Sequence, residues 1–178
     1  MKKFLYISLI ASTIIIAVSQ DIHSEQTQKD MFASVVVLPT FKLSLDNANI
    51  TFGYTEPAKA VELYPQTHYN EVKCVSNKAK RWYLKLSVAG EIAGPPDSRV
   101  GVEDFKWMVA RSTGDGVAEK GWRPFSKEPM LVYTSGEADS TGEEVVIQFK
   151  YRFDPPPKAK GGNYSLNVLY TMTDDIQQ

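Results

Sequence analysis

From Val35 onward, apolar side chains alternate along successive runs, and this period of two constrains the fold more than any other feature of the chain. Trp82, Leu84, Leu86 and Val88 share one parity, while Tyr83, Lys85 and Ser87 hold the other. Val145, Ile147, Phe149, Tyr151 and Phe153 repeat the pattern, as do Tyr164, Leu166, Val168, Tyr170 and Met172, and the shorter set Phe41, Leu43 and Leu45. Successive side chains leave opposite faces of an extended chain, so each run predicts a strand with one buried face. Weaker strand candidates occupy residues 50–54, 60–64, 69–76, 105–109 and 129–133. No apolar repeat at three-four spacing follows residue 19. Turn formers separate the runs, among them Gly94-Pro95-Pro96-Asp97, Gly114-Asp115-Gly116, Ser135-Gly136 and Thr141-Gly142. The expected fold is all-β, an immunoglobulin-like β-sandwich of about eight or nine antiparallel strands, with a closed barrel as the competing architecture. The last two runs read as a hairpin joined by a stiff surface loop, since Pro155, Pro156 and Pro157 have no amide hydrogen for a ladder.

The first residues follow a different rule. Lys2 and Lys3 precede an uncharged apolar run over residues 4–18, and Ala17-Val18-Ser19 places small residues where a signal peptidase reads. This is the build of a secretory signal peptide, and the run is shorter than the roughly 20 residues of a permanent span. Residues 1–19 are therefore expected to be a signal peptide, 20–33 a flexible leader, and 34–178 the sandwich domain. No Cys follows the apolar run to carry a lipid. Without Lys2 and Lys3 the formal charge moves from −1 to −3. That balance argues against nucleic acid, whose phosphates need a basic stripe.

The chemistry-bearing residues are few. One Cys makes neither an internal disulfide nor a cysteine zinc site. Cys74 shares the parity of Val72 and is expected in the core as a small hydrophobe. His23 falls in the leader, and His68 stands alone at a strand entrance. No Gly-x-Ser-x-Gly turn presents a nucleophile. Glu143 and Glu144 are adjacent on a strand, so their side chains leave opposite faces and cannot cooperate. Gly114-Asp115-Gly116 and Asp174-Asp175 lack the spaced oxygens of an EF-hand, although an acidic loop leaves calcium open. Asn49-Ile50-Thr51 and Asn163-Tyr164-Ser165 fit the glycosylation sequon. Two tryptophans stand apart from the inward pattern, Trp107 and Trp122. Trp122 lies in the loop sequence Lys120-Gly121-Trp122-Arg123-Pro124 and is the candidate for stacking on a ligand. No catalytic, cofactor-binding or metal-binding residue is assigned.

Two stretches resemble the WxL domain of bacterial surface proteins. The first runs Val75-Ser76-Asn77-Lys78-Ala79-Lys80-Arg81-Trp82-Tyr83-Leu84-Lys85-Leu86, a strand, a polar turn and then Trp-x-Leu. The second runs Gly161-Gly162-Asn163-Tyr164 through Tyr170-Thr171-Met172, the near-terminal strand where the family has Gly-x-Tyr and a second Trp-x-Leu. Here Tyr170 and Met172 keep an aromatic and a long apolar residue, without the Trp. The resemblance implies a secreted β-rich module that attaches non-covalently to cell-wall peptidoglycan. It makes Trp82, Leu84, Tyr164, Tyr170 and Met172 the structural anchors. The last strand also looks like that of secreted fimbrial subunits.

Three functions are expected to compete. The first is a secreted, non-enzymatic module of the cell surface or periplasm that binds cell-wall polysaccharide or other surface proteins. The second is a fimbria-like subunit that self-assembles by strand exchange, with residues 28–38 as the donor because Ser34-Val35-Val36-Val37-Leu38 is strongly β-prone. The third is a carbohydrate-binding module built on Trp122. None of them uses a cofactor or a permanent membrane span.

Overall fold

Alternating apolar residues need a facing layer, and the computed structural model supplies one by stacking two sheets. It describes residues 34–48, 55–63 and 70–176. The chain divides into two units, Met1–Val36 and Val37–Gln178, and all of the strands belong to the second. Among the described residues they are β1 (Phe41–Leu45), β2 (Val61–Leu63), β3 (Asn70–Ser76), β4 (Tyr83–Ala93), β5 (Phe105–Ser112), β6 (Val117–Ala118), β7 (Arg123–Pro124), β8 (Met130–Thr134), β9 (Glu144–Phe153) and β10 (Ser165–Thr173). One sheet has the order β1-β3-β9-β5-β7, with β2 pairing β9 past the end of β3. The other has the order β10-β4-β8-β6. Every pairing is antiparallel. Among the described residues the strands form two separate sheets, each with its own edges, so the architecture is a sandwich and not a closed barrel.

The extra elements beyond the expected strands are the two-residue β6 and β7, too short to leave a period in the sequence. The candidates at residues 60–64, 69–76, 105–109 and 129–133 become β2, β3, β5 and β8. The candidate at 50–54 lies outside the described residues. No helix among the described residues is long and apolar enough to cross a membrane.

The core forms where the predicted faces meet. Trp82, just before β4, and Leu84, Leu86 and Val88 on it are buried with Val145, Ile147, Phe149, Tyr151 and Phe153 from the other sheet. A large apolar side chain buried in this way contributes about 1.5–3 kcal/mol. Phe105 stacks on Phe153 at 4.4 Å between centroids, and Phe149 meets Tyr170 edge-on at 5.3 Å. Tyr164, Leu166, Val168, Tyr170 and Met172 keep the inward parity but are only half-buried, and among the described residues β10 pairs with β4 alone.

Two expectations are corrected. The last two strands are not a hairpin, because β9 lies in one sheet and β10 in the other. Alternation reports which face of a strand is buried, not which strand lies beside it. The connection crosses between sheets and is tied down on its way. Asp154 donates its amide to Asp104 (2.8 Å), and its carboxylate accepts from Lys106 (2.6 Å) and Arg152 (2.5 Å). The second correction is Trp107, which sits on β5 beside Phe105 as a core residue with 1% exposure. Phe105 and Trp107 share the inward parity of β5, but the run is short because the register against β9 shifts after Val109.

Candidate functional site

The two stretches that carried the resemblance are neighbours in the fold. β4 and β10 pair so that Leu84 lies opposite Met172 and Leu86 opposite Tyr170. Trp82 is wholly buried just before β4. Its amide donates to Ser135 Oγ (2.8 Å), its indole Nε1 donates to the Asp139 carbonyl (3.1 Å), and its ring leans on Tyr133 at 5.5 Å. Leu84 is also wholly buried. Both residues are thus anchors of the core and present nothing to a ligand.

Under Trp82 lies a polar knot that the sequence did not signal. Asp139 is 3% exposed, yet its carboxylate is saturated. It accepts from the Tyr133 hydroxyl (2.7 Å) and from the amides of Gly136 (2.8 Å), Asp115 (3.0 Å) and Gly116 (3.1 Å). Burial pushes its pKa up, but the hydrogen bonds from Tyr133 and these amides outweigh it and hold the carboxyl below its ordinary value. Tyr133 is pushed up, by burial first and then by its bond to Asp139. Gly114-Asp115-Gly116 has a structural part here, since a Cβ on Gly116 would run into the Thr134 carbonyl and one on Gly114 into the Tyr133 hydroxyl. The Asp115 carboxylate accepts from the Ala138 amide (3.3 Å), and Asp174 pairs with Lys78 (3.4 Å). Among the described residues no three His, Cys, Asp or Glu are grouped to hold a metal ion.

The remaining candidates are dispersed. Cys74 is fully buried, and burial pushes its thiol up to about 12. Trp122 is half-buried beside β7, while its neighbour Phe125 takes the core position. Arg123 next to it pairs with Glu119 (2.9 Å). His23 and His68 lie outside the described residues, as does Asn49. Asn163 is exposed.

The one concave feature that gathers predicted anchors is a cleft of about 330 Å³ at the edge of the sandwich where β1 faces β10. Leu45 lies on one side, and Tyr164, Leu166 and Val168 lie on the other. Among the described residues its lining holds no charged side chain. Tyr151 and Tyr170 lie in it with their hydroxyls 2.6 Å apart, and Asn70 Nδ2 donates to Tyr151 (2.9 Å). Asn70 Oδ1 is buried and has no hydrogen-bond partner among the described residues. Burial pushes Tyr151 up to about 12 and Tyr170 well above its ordinary value, so both remain neutral donors and acceptors. Tyr164 closes one end, accepting from Ser98 Oγ (2.9 Å) and donating to the Lys160 carbonyl (2.5 Å).

One further surface stands out. Val35, Val36, Val37 and Leu38 are 86, 83, 75 and 75% exposed, four consecutive large apolar residues in water. Comparison with family models, with curated proteins and with solved structures finds no match to this chain.

Proposed function

We propose that this chain is an exported, non-enzymatic β-sandwich module of the cell surface or periplasm that works by binding. Its partner is the envelope polysaccharide or another surface protein. The observation that carries this reading is the exposed run Val35–Leu38, since a soluble domain rarely leaves contiguous large apolar residues in water without a partner to cover them. The apolar segment over residues 4–18 supports export.

The perturbed titratable groups agree with a binding role. Asp139 and Tyr133 hold loops together, Asp154 ties the crossover, and the Tyr151–Tyr170 pair is hydrogen-bonded internally. The WxL resemblance fits the same reading with one refinement. Trp82 and Leu84 serve the core, so any wall contact uses other residues.

Cell fractionation followed by binding to purified wall tests this reading. The chain is expected in the envelope fraction and in the wall-bound pellet or a surface-protein complex. A chain found wholly free in the medium, with affinity for neither, would overturn it.

A further inference from the structure

We propose that two copies of this chain associate face to face through the outer surface of the β10-β4-β8-β6 sheet, as a closed two-fold dimer. The outward residues line up in rows across that sheet. Val117 lies opposite Thr134, Thr134 opposite Tyr83, and Tyr83 opposite Thr173. In the next row Leu131 lies opposite Lys85 and Lys85 opposite Thr171. Beyond it Ser87 lies opposite Leu169. These positions alternate with the core side chains of Leu84, Leu86 and Tyr133, so they share the outer face.

This face collects exposed apolar side chains. Val117 is 71% exposed and Leu169 51%. Ile176 is 57% exposed, and its carbonyl accepts from Lys85 Nζ (2.7 Å), which brings the chain beyond β10 over the same face. Apart from Val35–Leu38 and Leu45, these are the large apolar side chains left exposed among the described residues. Single exposed residues scattered over a surface need no partner, whereas residues gathered on one face mark an interaction surface.

The charges decide what covers it. Lys85 is the one charged residue in these rows, and it is 6% exposed with its Nζ held by its own chain. A second copy laid on this face therefore meets no like charge and leaves no ion buried alone. The outer face of the other sheet has no such self-compatibility. Lys73, Lys106, Lys150 and Arg152 share it with Glu71 and Glu144, each alternating with a buried neighbour. Charges at the ends of β4 and β10 are paired within the chain, Lys78 with Asp174 (3.4 Å) beside the Tyr83 end and Lys127 with Glu91 at the other. An uncharged centre inside a polar rim is the anatomy of a protein interface.

The area sets the strength. Seven residues from Tyr83 to Ala89 run about 23 Å, and four strands span about 19 Å. The flat footprint is then about 440 Å² per copy, or about 900 Å² for the pair. Incidental contacts lie mostly below about 800 Å² and stable complexes begin near 1,200 Å², so the dimer is reversible. Both copies use the same patch, so the contact is isologous and closes at two.

The test uses the full chain. Light scattering across a concentration series is expected to show mass rising to twice the monomer and stopping there, with half-association at about 10–100 μM. Leu169→Lys changes an exposed position and keeps the fold. It is expected to raise the half-association concentration at least ~10-fold, because two-fold symmetry brings two lysines into the contact at once. Val146→Lys, on the outer face of β9, is expected to leave it unchanged. Thr171→Cys is expected to react with a thiol reagent more slowly above the half-association concentration than below it, while Val146→Cys reacts equally at both. Cys74 is buried and does not compete. A chain that stays monomeric to about 1 mM, mass that grows past two copies, or a dimer indifferent to Leu169→Lys overturns the proposal. Protection of Thr171→Cys that appears only when purified wall is added assigns the face to polysaccharide and overturns it too. This dimer goes beyond the envelope reading and fails separately from it. A monomer that still binds the envelope sinks only the dimer, whereas a dimer with no envelope affinity sinks only the attachment.

Discussion

The Tyr133 hydroxyl donates to the Asp139 carboxylate across 2.7 Å, and through that bond β8 is tied to the 3₁₀ turn Ala138–Ser140 directly beneath the Trp82 indole. Six residues separate the two in sequence, but the bond also organises the loop at Asp115 and Gly116, because the same carboxylate accepts their amides. A buried charge is tolerated here because each of its oxygens has donors.

Asp139→Asn removes an acceptor and turns an amide group toward existing donors. The expected loss is about 2–4 kcal/mol in urea unfolding, since buried donors are left unmet. The pH dependence follows from the depressed pKa. A carboxyl that titrates lower when folded stabilises fully above its unfolded value near 3.8, and that stability is lost as pH falls toward the folded value. The wild-type chain should therefore lose stability steeply in that acid range, and Asp139→Asn should flatten the limb. An unchanged acid limb would argue against the assignment.

Tyr151→Phe and Tyr170→Phe each strip one partner from a buried hydroxyl pair. Each is expected to cost about 1–2 kcal/mol. The double variant should cost less than the sum, because it leaves no orphaned hydroxyl from the pair. A double-mutant cycle by denaturant unfolding measures this coupling.

Trp82→Ala and Leu84→Ala should cost about 3–5 and 2–5 kcal/mol respectively, as large-to-small changes in a closed core. Leu169→Ala, at a residue 51% exposed on the same pair of strands, should stay within about 0.5 kcal/mol. In a wall-binding assay the core variants should lose binding only in step with the folded fraction. Binding lost by a fully folded Trp82 variant would contradict its role as an anchor.

Cys74 should resist a thiol reagent at pH 8 in the native chain and react at once in denaturant. Its folded thiol titrates near 12 and its unfolded thiol near 9.0, so its contribution is full below pH 9 and falls away as pH rises toward 12. Cys74→Ala should remove that alkaline component of the unfolding profile.

Period-two spacing is a local property, set by the geometry of one extended chain, and so it could be read residue by residue. It placed Trp82, Leu84, Ile147 and Phe149 in the core, gave Cys74 its inward face, and implied two layers, because a strand with one apolar side must meet another. Which strand lies beside which is a long-range matter. Nothing in residues 144–173 by themselves says that β9 and β10 belong to different sheets, or that Met172 sits against Leu84. Asp139 had no signal either, because its donors arrive from Tyr133, Gly136 and a loop more than twenty residues away. The cleft exists only where the ends of β1 and β10 come together. Alternation thus decided which side of each strand is dry, while the tertiary structure decided partners, edges and the saturation of buried charge, since those depend on contacts between segments that do not share a local pattern.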